Sequence, residues 1–95
     1  MPEEVRRAAG LLERRWTMSI LWASYEGANR FNEFRQAVGE IPPRTLAQRL
    51  VELEEAGVLE RRVVDARPPR VEYRLTPAGL RLRTAVEAIA TWARA

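Results

Sequence analysis

Apolar residues recur along the chain first with a helical period, then with a period of two, then with a helical period again. Val5, Ala9, Leu12 and Trp16 fall at i, i+4, i+7 and i+11, on one face of a first helix. Thr17 reads as the N-cap of a second helix that carries Leu21 and Tyr25 four apart and is ended by Glu26, Gly27, Ala28 and Asn29. Arg30 and Phe31 leave room only for a bridging strand. Asn32 then reads as the cap of a short third helix, whose inner stripe is Phe34, Ala37 and Val38 and which Gly39 closes. After the turn Gly39-Glu40-Ile41, Pro42 and Pro43 open a fourth helix, where a missing N–H would be unpaired anyway. Leu46, Leu50 and Leu53 form its inner face, and Ala56-Gly57 stops it.

The period then changes. Val71, Tyr73 and Leu75 alternate with Glu72 and Arg74, the pattern of a half-buried strand, and residues 60–65 supply an antiparallel partner. Thr76-Pro77 is a cap followed by proline in the first helical position, opening a last helix with Leu82, Val86, Ile89 and Ala93 on one face. The predicted order is helix, helix, short strand, helix, turn, helix, hairpin, helix: a mainly α fold with a small β-hairpin. A short helix, a glycine-containing turn and a second amphipathic helix make a helix-turn-helix, and a basic hairpin directly after it makes the unit winged. Periodicity alone leaves open whether such a surface meets DNA or protein.

Composition narrows the field. Ninety-five residues suffice for one domain, residues 1–95, around one modest core. With 46% hydrophobic and 31% charged residues the chain has a globular composition. It holds no apolar run of membrane-span length and no signal-peptide core at its N-terminus, so no membrane role is expected and the expected compartment is the cytoplasm. The absence of cysteine excludes disulfides, thiolate metal sites and thiol redox sensing, and the absence of histidine removes the usual general base and the commonest metal ligand. No catalytic residue, metal site or cofactor is therefore expected.

Net charge is +3, and every one of the 16 basic residues is arginine. The arrangement matters more than the total. Residues 29–50 carry +2 and residues 61–74 carry +3, separated by a stretch, 51–60, with four glutamates and no base. Segregation of this kind is what an electrostatic footprint on a polyanion needs.

Turning the leucines of the fourth helix inward places Arg44, Thr45, Gln48 and Arg49 on the outer surface of its N-terminal half. Arginine can donate two bonds to guanine and glutamine two to adenine, and a threonine methyl packs on thymine. The competing reading is a solvated helix face on which Arg49 pairs with Glu52 three residues on. Asn32 is a cap whose neighbouring free N–H groups can also take a phosphate, with Arg30 and Arg35 beside it as phosphate partners or as ordinary exposed arginines. At the hairpin tip, Pro68 and Pro69 lack N–H donors and restrict φ. They make either a protected, soluble turn or a stiff finger carrying Arg67 and Arg70 to a narrow minor groove or its flanking phosphates. Arg67 is the better candidate of the two, because Arg70 borders the strand and is placed to brace the hairpin. Arg61, Arg62 and Arg74 fall on different faces by strand parity. Trp16, Trp22 and Trp92 read as core or interface residues.

The runs R-F-N-E-F-R-Q-A-V, I-P-P-R-T-L-A-Q-R-L-V-E-L-E-E-A-G-V-L and P-P-R-V-E-Y-R-L-T-P-A-G, with Trp16-Thr17 opening the second helix, resemble the HxlR-type winged-helix transcriptional regulators, relatives of the MarR group. The match runs from about Val5 to the C-terminus. The resemblance implies a homodimer on a roughly palindromic operator of double-stranded DNA, acting on transcription, with recognition helices in major grooves and wings at the minor groove. The first and last helices, rich in Ala, Leu, Val and Ile, point to dimerisation through them. The alternative is a winged helix that binds protein rather than DNA. Many members of the family carry a sensing cysteine near the first helix, where this chain has Glu3, Glu4 and Val5, and the family's small residues before the tryptophan are replaced by Glu13 and Arg14. No small-molecule effector is specified: an apolar pocket between the first and last helices has no polar constellation to define it.

Overall fold

Leu46, Leu50 and Leu53, the stripe that the helical period turns inward, are fully buried in the computed structural model, which describes residues 1–94. They belong to α4 (Pro43–Glu55), the fourth of five helices; the others are α1 (Glu3–Leu12), α2 (Thr17–Tyr25), α3 (Phe31–Val38) and α5 (Pro77–Arg94). Strands β1 (Leu59–Val64) and β2 (Arg70–Leu75) form the antiparallel hairpin between α4 and α5. Around the leucines close Ile20 and Leu21 of α2, Phe34 of α3, Ile41 of the turn, Val58 and Leu59 after α4, and Val86 of α5. Apart from the short bridging strand expected between α2 and α3, the winged helix-turn-helix order is the one the sequence predicts. No helix among the described residues is long and apolar enough to cross a membrane.

Local chemistry explains where the helices stop. Both α2 and α4 end by the same device, a glycine in the left-handed region, Gly27 at φ 108° and Gly57 at φ 76°. In α4 the N–H of Val58 reaches back to the Leu53 carbonyl at 2.9 Å and that of Gly57 to Glu54 at 3.0 Å; in α2 Ala28 and Gly27 bond Ala23 and Ser24 in the same way. Two orphan carbonyls are satisfied at each end, and the chain leaves the helix in a fixed direction.

Several boundaries differ from expectation. The first helix ends at Leu12, so Trp16 does not continue its face; Trp16 itself has φ 79°, left-handed, and forms the entry to α2. Thr17 is the first helical residue rather than the cap, and it is only 1% exposed. The third helix begins at Phe31, so Asn32 lies inside its first turn and caps nothing. Its start is held from within by Glu33, whose Oε1 accepts the N–H groups of Asn29 at 3.0 Å and Arg30 at 3.1 Å. Ala37, expected on the inner stripe of α3, is exposed. The bridging strand expected at Arg30 and Phe31 reduces to one backbone bond, from the N–H of Tyr73 in β2 to the carbonyl of Asn29 at 2.7 Å.

The hairpin base and the start of α5 meet in a compact polar junction. Leu59 of β1 pairs with Leu75 of β2, and the next residue, Thr76, donates its N–H to the Val58 carbonyl at 3.1 Å. The Thr76 hydroxyl is shared between the Gly57 and Val58 carbonyls and accepts the N–H of Gly79 at 3.1 Å, which caps α5. Gly79 is buried and leaves no room for a side chain, since a β-carbon there would stand 2.3 Å from the Val58 carbonyl oxygen. The Tyr25 hydroxyl of α2 donates to the Gly79 carbonyl at 3.0 Å. Removing the cap with Thr76→Val is expected to cost about 1–2 kcal/mol, and crowding the junction with Gly79→Ala about 1–3 kcal/mol, both measured as midpoint shifts in urea titrations.

Candidate nucleic-acid interface

Burial divides α4 into three stripes. Leu46, Leu50 and Leu53 face the core, Thr45, Arg49 and Glu52 lie half-buried along one flank, and Arg44, Ala47, Gln48 and Val51 are exposed. The helix starts on Pro43, leaving Arg44 and Gln48 in the first two turns, directly after the turn that joins it to α3. Neither has a protein partner among the described residues' side-chain hydrogen bonds and ion pairs. Ala47 and Val51, the latter 47% exposed, were missed by sequence reasoning. The signal was available, since 44, 48 and 51 share a helical face, but small apolar residues attract attention only once the face is seen to be open.

Arg49 is not on the outer surface where the sequence reading puts it. Its Nε donates to the carbonyl oxygen of Arg15 at 2.9 Å, and its Nη1 reaches both carboxylate oxygens of Glu52 at 3.3 and 3.2 Å. Thr45 shares this half-buried flank. Of the N-terminal half of α4, only Arg44 and Gln48 among the expected contacts are fully exposed.

On α3, Asn32 and Arg35 are exposed and come together with Gln36 and Gly39 around a polar concavity of about 340 Å³. Gln36 is a further residue that sequence reasoning missed. Arg30, exposed immediately before α3, donates its own backbone N–H to Glu33, as Asn29 does. Those two bonds hold the Glu33 carboxyl below the usual glutamate range, so the helix start is occupied by an internal anion. A second groove, of about 480 Å³ between the end of α2 and α3, carries Glu26 and Glu33 and is ill-suited to a polyanion.

In the hairpin, register places Arg62, Arg70 and Arg74 on one face, with Glu60 and Glu72, and Arg61 on the other, opposite Tyr73. Alternation predicts an outward Glu72, yet it is 7% exposed. Its carboxylate is held by Arg74 Nη2 at 2.9 Å and Nε at 3.1 Å, and by Arg70 Nε at 3.1 Å. These hydrogen bonds, Arg74's foremost, hold its carboxyl below the ordinary range. Arg70 thus braces the strand. Arg67, in the connection between the strands, is exposed and makes no ion pair among the described residues.

Trp16 and Trp22 pack partly buried against the core, whereas Trp92 is 77% exposed on α5. An apolar groove of about 280 Å³ lies between α2 and α5, lined by Met18, Trp22, Val86 and Ile89 among others. It is not the pocket between first and last helices considered from the sequence.

Comparison with known proteins places these features in context. A family model described as HxlR-like helix-turn-helix matches residues 11–95. The HTH-type transcriptional regulator YtfH of Escherichia coli (strain K12) is 42% identical over 78 residues, covering 82% of this chain but 62% of its own length. YodB of Bacillus subtilis (strain 168), also an HTH-type transcriptional regulator, is 33% identical over 93 residues, covering 98% of this chain and 83% of YodB. Among solved structures, the reduced form of YodB superposes with a TM-score of 0.87 at 33% identity, covering 98% of this chain and 91% of that one. The reduced form of the redox regulator HypR gives 0.87 at 33% identity, covering 97% and 91%.

The lowered acidities of Glu33 and Glu72 carry a sign. A carboxyl whose folded pKa is depressed contributes stability that is present above the ordinary glutamate range and is lost as pH falls through that range toward the folded value. Glu72→Gln is therefore expected to flatten the loss of stability between about pH 5 and pH 3, checked by urea midpoints across that window. An unchanged slope in the variant would contradict the arginine pairing.

Proposed function

The chain belongs to the HxlR-like helix-turn-helix family, and from that premise we propose that it is a homodimeric, sequence-specific DNA-binding transcriptional regulator. The observation that carries the reading is the open face of the first two turns of α4, where Arg44 and Gln48 stand unpaired just after a helix-turn-helix turn. Recognition-helix residues of this position meet base edges in the major groove. Arg44 has the donors for guanine and Gln48 the donor–acceptor pair for adenine, while Ala47 offers a methyl-sized surface to thymine. Thr45, on the half-buried flank, is left with its hydroxyl and methyl at the edge of this face.

Phosphate contacts fix register. Asn32 and Arg35 at the polar concavity of α3 are suited to this task, with Arg30 beside them. In the wing, Arg67 reaches the minor groove, and Arg70 contributes charge from its place beside Glu72. Glu52, Glu54 and Glu55 at the far end of α4 repel the backbone, which confines close approach to the helix's first turns.

Homodimerisation runs through α1 and α5. What supports it is apolar surface in excess of what a small monomer exposes without reason: Val5 of α1, and Leu80, Ile89 and Trp92 of α5 are all more than 40% exposed. A two-fold dimer presents two recognition helices to successive major grooves, hence a palindromic site. HypR is a redox regulator; with no cysteine here, no thiol switch is proposed for this chain.

Selection from a random DNA pool should return a palindrome. Arg44→Ala and Gln48→Ala should each relax preference at particular base pairs by about 1–3 kcal/mol, whereas uniform weakening across sequences would reassign them to phosphate. Arg67→Ala should lower the slope of log affinity against log salt by about 0.9; binding indifferent to salt and to this change would remove the wing from the interface. Sedimentation should give a dimer for the wild type and a monomer for Trp92→Glu at the same concentration.

A further inference from the structure

The helix that offers the dimer surface at the N-terminus, α1, has no buried residue. Leu11 and Leu12 touch the core only partly, at its last turn, so apolar packing leaves the direction of α1 weakly determined. Beyond α1 the chain makes a non-helical bend, residues 13–16, closed by the Thr17 N–H on the Arg14 carbonyl at 3.2 Å and by the left-handed Trp16. The Arg15 guanidinium stacks 4.7 Å over its neighbour's indole, and its backbone carbonyl accepts no backbone N–H among the described residues. That carbonyl is where Arg49 of α4 docks, through Nε at 2.9 Å.

The docking is built, not incidental. The Arg49 side chain is 13% exposed and Glu52 19%, and Glu52 fixes the guanidinium plane by accepting from Nη1 with both oxygens. Arg14, from the same bend, lies 3.9 Å from Glu52 Oε2, the oxygen that Arg49 also reaches. Two residues one turn apart on the recognition helix thus grip the bend from which α1 departs. The fork geometry matters: an Nε–H aimed at a carbonyl while the same plane meets a carboxylate is available to arginine and not to lysine.

Resting on the DNA-binding reading above, we infer that Arg49 is a positioning residue: it touches no base or phosphate but, held by Glu52, locks the bend after α1 onto α4 and so sets the separation of the two recognition helices in the dimer. Each α4 is carried rigidly on the core, while the partner is met through α1 and α5. Any looseness between α1 and α4 becomes looseness in half-site spacing. One base pair of extra spacing shifts a half-site by about 3.4 Å and rotates it by about a tenth of a turn, a change that a rigid dimer rejects and a loosened one accepts.

The test uses a library in which the selected half-sites are held constant and the base pairs between them are varied in number. The wild-type chain should prefer one spacing over its one-base-pair neighbours by on the order of tenfold. Arg49→Lys, Arg49→Met and Glu52→Gln should each reduce that preference to about threefold or less, while half-site sequence preference and salt slope stay at wild-type values. Lysine keeps the charge but not the fork, so it should behave as methionine does. If instead Arg49→Met lowers the salt slope by about 0.9 and Arg49→Lys restores it, Arg49 is a phosphate contact and the inference is overturned. It is equally overturned if all three variants retain the wild-type spacing preference. Failure of the wild type to select any DNA would overturn the proposed function itself, a result distinguishable from both.

Discussion

One threonine holds the domain's working parts in relation. Thr76 closes the hairpin against the carbonyls that end α4, caps α5 through Gly79, and sits one residue after the Leu59–Leu75 pair that begins the wing. Because Gly79 lies too close to Val58 for any side chain, and Tyr25 fastens the same glycine to α2, the junction admits one arrangement of four elements. The hairpin is anchored at its base to the end of α4. Whatever the hairpin tip reaches is reached at a position defined by α4.

The core achieves the same constraint from the apolar side. The leucine stripe of α4 is buried against α2 and α3, so the exposed face of the helix is fixed by exclusion: what does not fit the core faces out. Direction along the helix is set by charge. Arg44 lies at the start and Glu54 and Glu55 at the end, so the exposed charge of α4 changes sign along its length.

Much of this was legible in the sequence because period and turn chemistry are local. The leucines of α4, the glycine stops at Gly27 and Gly57, the Thr76-Pro77 start of α5 and the hairpin follow from residues a few positions apart. The errors have a common cause in tertiary contact or in the substitution of one device for another. The spacing of Trp16 suits the first helix, but its left-handed backbone is invisible to periodicity. Asn32 has the chemistry of a cap, but Glu33 supplies the acceptors from inside the helix, two residues after the true boundary. Glu72 obeys alternation only until two flanking arginines make its burial tolerable. Of the candidate contacts, Arg30, Asn32, Arg35, Arg44, Gln48, Arg67 and Arg70 stand exposed, whereas Thr45 and Arg49 are half-buried. Arg49 has its local partner Glu52 written three residues away, yet its bond to Arg15 spans 34 positions and no local pattern announces it.

The chain carries arginine as its only cation and holds neither histidine nor cysteine. Arginine stays protonated throughout the physiological range, and hydrogen bonds hold the Glu33 and Glu72 carboxyls below the usual glutamate range. With no histidine, cysteine or lysine side chain, the side-chain charge on this surface has no imidazole or thiol to titrate near neutral pH and no lysine to acetylate. The contact that ties the bend between α1 and α2 to α4 is likewise made of arginine and glutamate alone, Arg49 on the Arg15 carbonyl with Glu52 between Arg49 and Arg14.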